Sequence, residues 1–234
     1  VPSAASREVV NRSVDIGAEA RNGAASAIER PQDRSFGLRY LCRMPSSDDT
    51  PPSGSTRPRL APGILLSARE QLEDPHFARS VVLLCQHSAE GAYGLVLNRP
   101  SHMPLREIFE FPPQIPAGRS LTRRVYIGGP VQPTELQILQ LGEPVAPETM
   151  EIAPGVHMGG RWESLEEILG PDPARVRLFL GYAGWGEGQL EEEIESGAWD
   201  VLQGDVKRVL ESPDEAWTDG GASLRRLLNP ENSD

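Results

Sequence analysis

Apolar residues fall along this chain in short runs, not in a sustained helical stripe. The runs at 64–67, 80–86, 94–98 and 125–127 are rich in Val, Leu and Ile and are bounded by Pro, Gly or Asp, which predicts short strands. Residues 87–93 join the second and third of these as a hairpin with a long loop. Polar–apolar alternation opens 135–141, predicting another strand, with a helical turn from Pro133 as the alternative; 156–158 is a further short strand. Helices are few and brief. One is expected at 105–109, stopped by Phe111-Pro112-Pro113 ahead of a loop to 120. Ser164-Leu165-Glu166-Glu167 fits a capping box, and Ser212-Pro213-Asp214-Glu215 repeats it at the head of a last helix, 213–228, interrupted at Gly220-Gly221. The stretch 177–193 runs from an apolar strand through four glycines in eight residues into an acidic helix start. Many short strands with irregularly spaced helices predict an α+β fold around a mixed or antiparallel sheet.

Residues 1–59 depart from this pattern. They are rich in Ala, Ser, Arg and Pro and end in a Ser/Asp/Pro/Gly segment, a composition expected to leave them a disordered N-terminal extension ahead of one folded domain at 60–234. They fit neither a secretory nor a transit segment, so the glycosylation triplet Asn11-Arg12-Ser13 is discounted. Met44 is the expected translation start, and the intact mass of the native protein tests that reading.

Charge narrows the function. The extension holds nine arginines against seven acids, so the formal −11 of the whole chain becomes −13 over residues 60–234. Such a body repels phosphate backbones, which disfavours nucleic acid as a partner. Lys207 is the sole lysine, excluding a Walker A loop. No apolar run reaches the length of a membrane span. Of the two cysteines, Cys42 and Cys85, the second lies in a run of Val and Leu and reads as a reduced core residue of a cytosolic protein.

Candidate chemistry is sparse. No Gly-x-Ser-x-Gly elbow is present, and His76, His87, His102 and His157 form no close ligand pair, so neither metal nor cofactor is expected. Glycines 181, 184, 186 and 188 before a helix suggest a phosphate cradle, but Glu191, Glu192 and Glu193 occupy its first turn. At about 6 Å and an effective dielectric near 20, each carboxylate repels an anion by roughly 3 kcal/mol before screening, against about 0.3–1 kcal/mol from the helix dipole. The first reading is therefore structural: Gly181, Gly184 and Gly186 permit torsions and close approach that a Cβ would forbid, with Gly188, Gly128 and Gly129 as further turn glycines. The functional alternative is a shallow cleft rimmed by Tyr182, Trp185, Gln189 and Glu191, able to hold a small polar ligand or a peptide. Asp74, Arg79, His87 and Asn98 are a second candidate group, expected to converge where the hairpin meets the turn at 74–77, or else to leave only an Asp74–Arg79 contact fixing that turn.

Several stretches together carry a family resemblance. They are residues 60–66, with Leu60-Ala61-Pro62-Gly63; 74–82, with Asp74-Pro75-His76-Phe77; 91–100, with Gly94-Leu95-Val96-Leu97-Asn98-Arg99-Pro100; Gly128-Gly129-Pro130-Val131; and Gly181-Tyr182-Ala183-Gly184-Trp185-Gly186 followed by Gly188-Gln189-Leu190-Glu191. In this order and spacing, over roughly 60–228, the chain resembles the YqgE/AlgH family of bacterial proteins. The resemblance implies one compact α+β domain whose bifurcated sheet rolls into an incomplete barrel with short flanking helices, and a cytosolic setting. It implies no reaction, and the transcriptional-regulator label of some members rests on no recognised DNA-binding motif. Many members have His where this chain has Gln140, which argues against a mechanism centred on that position. The expected function is thus non-catalytic: contact with a protein partner in a regulatory pathway, through the aromatic–glycine turn. A small-molecule binder or hydrolase near Asp74 and His87, or near Tyr182, Trp185 and Glu191, is the alternative. Direct transcriptional regulation is disfavoured by charge.

Overall fold

The structure, a computed structural model, describes residues 59–108, 124–145, 149–160, 175–218 and 222–228. Strands β1 (Leu65–Ala68), β2 (Val81–Ser88) and β3 (Gly91–Val96) form an antiparallel meander. Then come β4 (Pro100–Pro104), helix α1 (Leu105–Ile108), β5 (Arg124–Ile127), β6 (Val131–Leu141), β7 (Thr149–Ala153), β8 (Val156–Gly159) and β9 (Val176–Gly186). Helix α2 (Gln189–Glu195), β10 (Trp199–Leu202), α3 (Val206–Glu211), a 3₁₀ turn (Pro213–Glu215) and α4 (Ala222–Leu228) complete the described chain.

The sheet order is β10-β1-β2-β3-β9-β6-β8-β7, with β4 and β5 on a side branch. The branch exists because β9 divides one edge between two partners. Its end, 183–186, pairs antiparallel with β3, and its beginning, 178–180, pairs parallel with β5. β6 lies along the opposite edge. All other pairings are antiparallel, so the expected α+β fold with a forked sheet is the one observed.

Alternation along β1 and β2 sends side chains to two cores. Leu65, Val81 and Leu83 point into the curl of the sheet, where they join Ile152, Ala153 and Val156 from its far end and Val209, Leu210 and Leu224 from α3 and α4. Contact between the two ends of the strand order makes the sheet a half-closed barrel. Leu66, Val82 and Leu84 point the other way, toward Trp185, Leu190 and Trp199 beneath α2. Strands buried on both faces read as continuous apolar runs, which is why these were plain in the sequence.

Several expected elements differ in detail. The hairpin loop is short: His87 pairs with Ala92 and Ser88 with Gly91, leaving Ala89-Glu90 as the turn. Gly91, at φ 137°, abuts the Trp185 carbonyl so closely that a Cβ would not fit, and this close approach lets the hairpin run two residues further than its polar composition suggests. Pro133 lies in β6, not in a helical turn; a register shift between Val131 and Leu136 and a positive φ of 47° at Gln132 absorb the irregularity. Of the expected last helix, 213–228, the described residues form the 3₁₀ turn Pro213–Glu215 and α4, and α3, which was not expected, precedes it. α3 starts at Val206, with Asp205 accepting from the Lys207 N–H at 3.0 Å, and Ser212 makes no side-chain cap; its own N–H ends α3 on the Arg208 carbonyl. The N-terminal extension through residue 58, the capping box at Ser164, the loop at 112–120 and Gly220-Gly221 lie outside the described residues.

Cys85 is 1% exposed, and burial pushes its thiol well above the usual cysteine range. Since the thiolate is the reactive form, a thiol reagent at neutral pH is expected to label Cys85 only after denaturation. Mass spectrometry of the native and urea-unfolded protein checks this; rapid native labelling would contradict it. Among the described residues no helix is long and apolar enough to cross a membrane.

Candidate functional site

The candidate site is built where the sheet forks. Gly181 has φ +65°, and a Cβ there would stand 2.5 Å from the Gly129 carbonyl oxygen and 2.8 Å from that of Val131. Gly128 and Gly129 are packed backbone to backbone against Gly181 and Tyr182 with no room for a side chain. Gly128 also ties the two branches together, donating to the Leu180 carbonyl at 2.7 Å and accepting from the Val96 N–H at 2.8 Å. These glycines make the fork.

The other glycines of the stretch behave differently. Gly184 and Gly186 are ordinary strand residues, and a Cβ on either meets nothing nearer than 3.4 Å and 3.9 Å respectively. The expected turn over 181–188 is instead the second half of β9, and the chain turns only at Glu187-Gly188, where Gly188 at φ +70° precedes α2. Pairing with β3 keeps Ala183 to Gly186 extended.

Trp185 is buried, 6% exposed, which leaves the half-buried Tyr182 as the surface-reaching residue of the two aromatics expected there. Its ring lies 6.1 Å from those of both Phe77 and Trp199, and Phe77 meets Trp199 edge-on at 5.8 Å. One carboxylate completes this cluster. Glu193 Oε2 accepts both indole N–H groups, at 2.9 Å from Trp185 and 2.8 Å from Trp199, and its Oε1 accepts the Gln189 amide at 2.9 Å. Gln189 returns an acceptor to the Gly186 N–H at 3.0 Å, so the candidate amide is spent on holding α2 to β9. Tyr182 is half-buried and packs on Tyr93 with ring centroids 4.5 Å apart; burial first, then neighbouring Cys85, Tyr182 and Glu135, pushes the Tyr93 phenol far above its ordinary range.

The second candidate group separates. Asp74, Arg79 and Asn98 stay together at the turn before β2: Asp74 accepts the His76 N–H at 2.7 Å, and Asn98 donates to the Arg79 carbonyl at 2.9 Å while accepting from Val81 N–H at 2.9 Å. The turn is fixed by these backbone contacts and by Arg99, which donates to the Pro75 and Ala78 carbonyls. Arg79, at φ +58°, offers its carbonyl inward. His87 is elsewhere. It sits near the end of β2, and its Nε2 lies 2.7 Å from Glu191 Oε1 of α2, with the two side chains 20% and 42% exposed. That pair crosses the two groups proposed from sequence.

Glu193, Phe77 and Trp199 were missed as site residues. Glu193 was visible only as one acid among several at the helix start, and nothing in the spacing shows which acid turns inward. Gln140 is buried and structural, donating to Gly159 and accepting from Val145. Among the described residues no three His, Cys, Asp or Glu are grouped so as to hold a metal ion.

Fold and site together define a small α+β domain of half-barrel form, with a forked central strand locked to an acidic helix. The chain belongs to the AlgH-like family (DUF179), whose model matches residues 65–226. It is 40% identical over 160 residues to a UPF0301 protein of Myxococcus xanthus, covering 68% of this chain and 87% of the relative. A UPF0301 protein of Chlorobaculum tepidum is 38% identical over 153 residues, covering 64% and 79%. The solution structure of the AlgH protein from Pseudomonas aeruginosa superposes with a TM-score of 0.57 at 28% identity, covering 77% of this chain and 93% of that one.

Proposed function

We propose that this protein acts by binding a partner protein with a basic surface, in a regulatory role and without catalysis. The observation that carries the reading is how the acids of α2 divide. Glu193 is turned inward and saturated, whereas Glu192 and Glu195 of α2 are exposed, as are Glu187 in the turn before it and Glu90 in the hairpin turn. Gln189 and Glu193 are consumed internally; what faces solvent is a carboxylate ridge on a rigid base. Charge complementarity of this kind steers association and makes it salt-dependent. DNA is a poor fit, since residues 60–234 carry a formal −13 and Arg124 and Arg225 are paired with Asp214 and Asp200. The test is affinity capture from the native cell with wild type and a Glu187→Lys/Glu192→Lys variant. Wild type is expected to retain a partner that the variant loses at least tenfold, and that salt releases. An identical captured set for both proteins would refute the ridge as the contact surface.

The His87–Glu191 pair supports a second reading, a small-molecule site in which His87 acts as general base. A carboxylate against one ring nitrogen orients the imidazole and leaves Nδ1 for a water. Under this reading hydrolysis of p-nitrophenyl acetate exceeds background and falls to background in His87→Gln. Equal rates for the two proteins would remove it.

A further inference from the structure

A groove of about 430 Å³ lies away from α2, between the sheet and the end of α3. Its volume is within the roughly 300–1,000 Å³ of small-molecule clefts. The sheet side contributes Arg124 and Arg177, and the helix side Glu211, Asp214 and Glu215, so the lining holds two cations against three anions. Tyr126, whose hydroxyl bonds the Arg124 guanidinium, and Val176, each 6% exposed, form its floor.

Opposed charges on two walls select a ligand that carries both signs. Arg124 and Asp214 already meet at 2.5 Å, linking the walls, and both are about half exposed, so a ligand can exchange for either partner. Arg177 is committed: its Nε donates to the Leu210 carbonyl at 2.9 Å and its Nη1 to the Val176 carbonyl at 3.2 Å. Glu211 and Glu215 have no ion-pair partner among the described residues. The groove therefore offers one exchangeable guanidinium, two unmatched carboxylates, an aromatic and aliphatic floor, and a net lining charge of −1.

We infer that this groove binds a free basic amino acid, a zwitterion of net charge +1. Its α-carboxylate takes the place of Asp214 on Arg124, in the planar geometry that guanidinium and carboxylate share. Its side-chain cation meets Glu211 and Glu215, and its methylene stem covers Tyr126 and Val176, with the cation near an aromatic ring. The site is distinct from the α2 ridge, so either can fail without the other.

Calorimetric titration of the full chain with L-arginine tests the inference. Saturable binding is expected with Kd near or below about 1 mM, a range weak enough for an open groove. Agmatine, which lacks the carboxylate, and norvaline, which lacks the side-chain cation, are each expected to bind at least tenfold more weakly. Glu211→Gln/Glu215→Gln is expected to weaken arginine at least tenfold, and Arg124→Gln to erase the preference for arginine over agmatine; circular dichroism confirms that each variant is folded. No saturable arginine binding to wild type, agmatine binding as well as arginine, or a folded double variant with unchanged affinity would each overturn the assignment.

Discussion

Glu193→Ala is expected to destabilise the domain by about 3 kcal/mol, because it strands two buried indole donors at once. Trp185 and Trp199 are 6% and 1% exposed, and both N–H groups end on the same carboxylate oxygen. An unmatched buried donor costs about 1–3 kcal/mol, and bonds to an ionised acceptor lie toward the upper part of that range. For a domain of this size the loss corresponds to roughly 6–12 °C in Tm. Glu193→Gln keeps one carbonyl oxygen and should fall between the two. The comparison with Glu192→Ala is decisive: Glu192 is exposed, and its removal should shift the midpoint of urea unfolding by less than about 0.5 kcal/mol. If Glu193→Ala proved as mild as Glu192→Ala, the carboxylate would not be what locks α2 to β9.

Gly181→Ala is expected to be more damaging still, at about 4 kcal/mol or more, enough to unfold a marginal domain. The residue combines a left-handed torsion with two opposing carbonyl oxygens inside 3 Å of a Cβ. Left-handed strain alone is about 1–2 kcal/mol for a residue with a Cβ. The clash adds to it because both obstacles are backbone and cannot rotate away. Gly184→Ala, three residues on in the same strand, meets side-chain atoms alone, the Tyr182 ring at 3.4 Å and Val131 Cγ2 at 3.6 Å, and should remain within about 0.5 kcal/mol of wild type. Urea unfolding of the two variants separates a glycine that the fork requires from one that β9 merely tolerates. Equal behaviour would show that the fork accommodates a side chain after all.

That contrast marks how far the residues could be read in advance. Runs such as Val81 to Cys85 announce strands because strands buried on both faces leave no polar position to confuse the pattern. Trp199 to Leu202 was passed over: its Asp200 is held by Arg69 at 2.7 Å and Arg225 at 2.8 Å, partners 131 and 25 residues away, and a charged residue in a four-residue segment hides the period. The glycines of 181–188 looked alike as a turn, yet only Gly181 and Gly188 adopt left-handed torsions. The two proposed groups were assembled by nearness in sequence, and Asp74 with Asn98 did stay together. His87 left its group because the hairpin carried it across the sheet to Glu191, 104 residues on.

The amino-acid order by itself determined the family, the α+β class, the acidic character of the folded part and the burial of Cys85, since each depends on composition or on contacts spaced by the local period. Tertiary structure alone decided which acid of α2 turns inward, which glycine is irreplaceable and which partner His87 meets. Those outcomes depend on where β9 is shared between β3 and β5, a packing of strands far apart in the chain, and local periodicity carries no record of such distances.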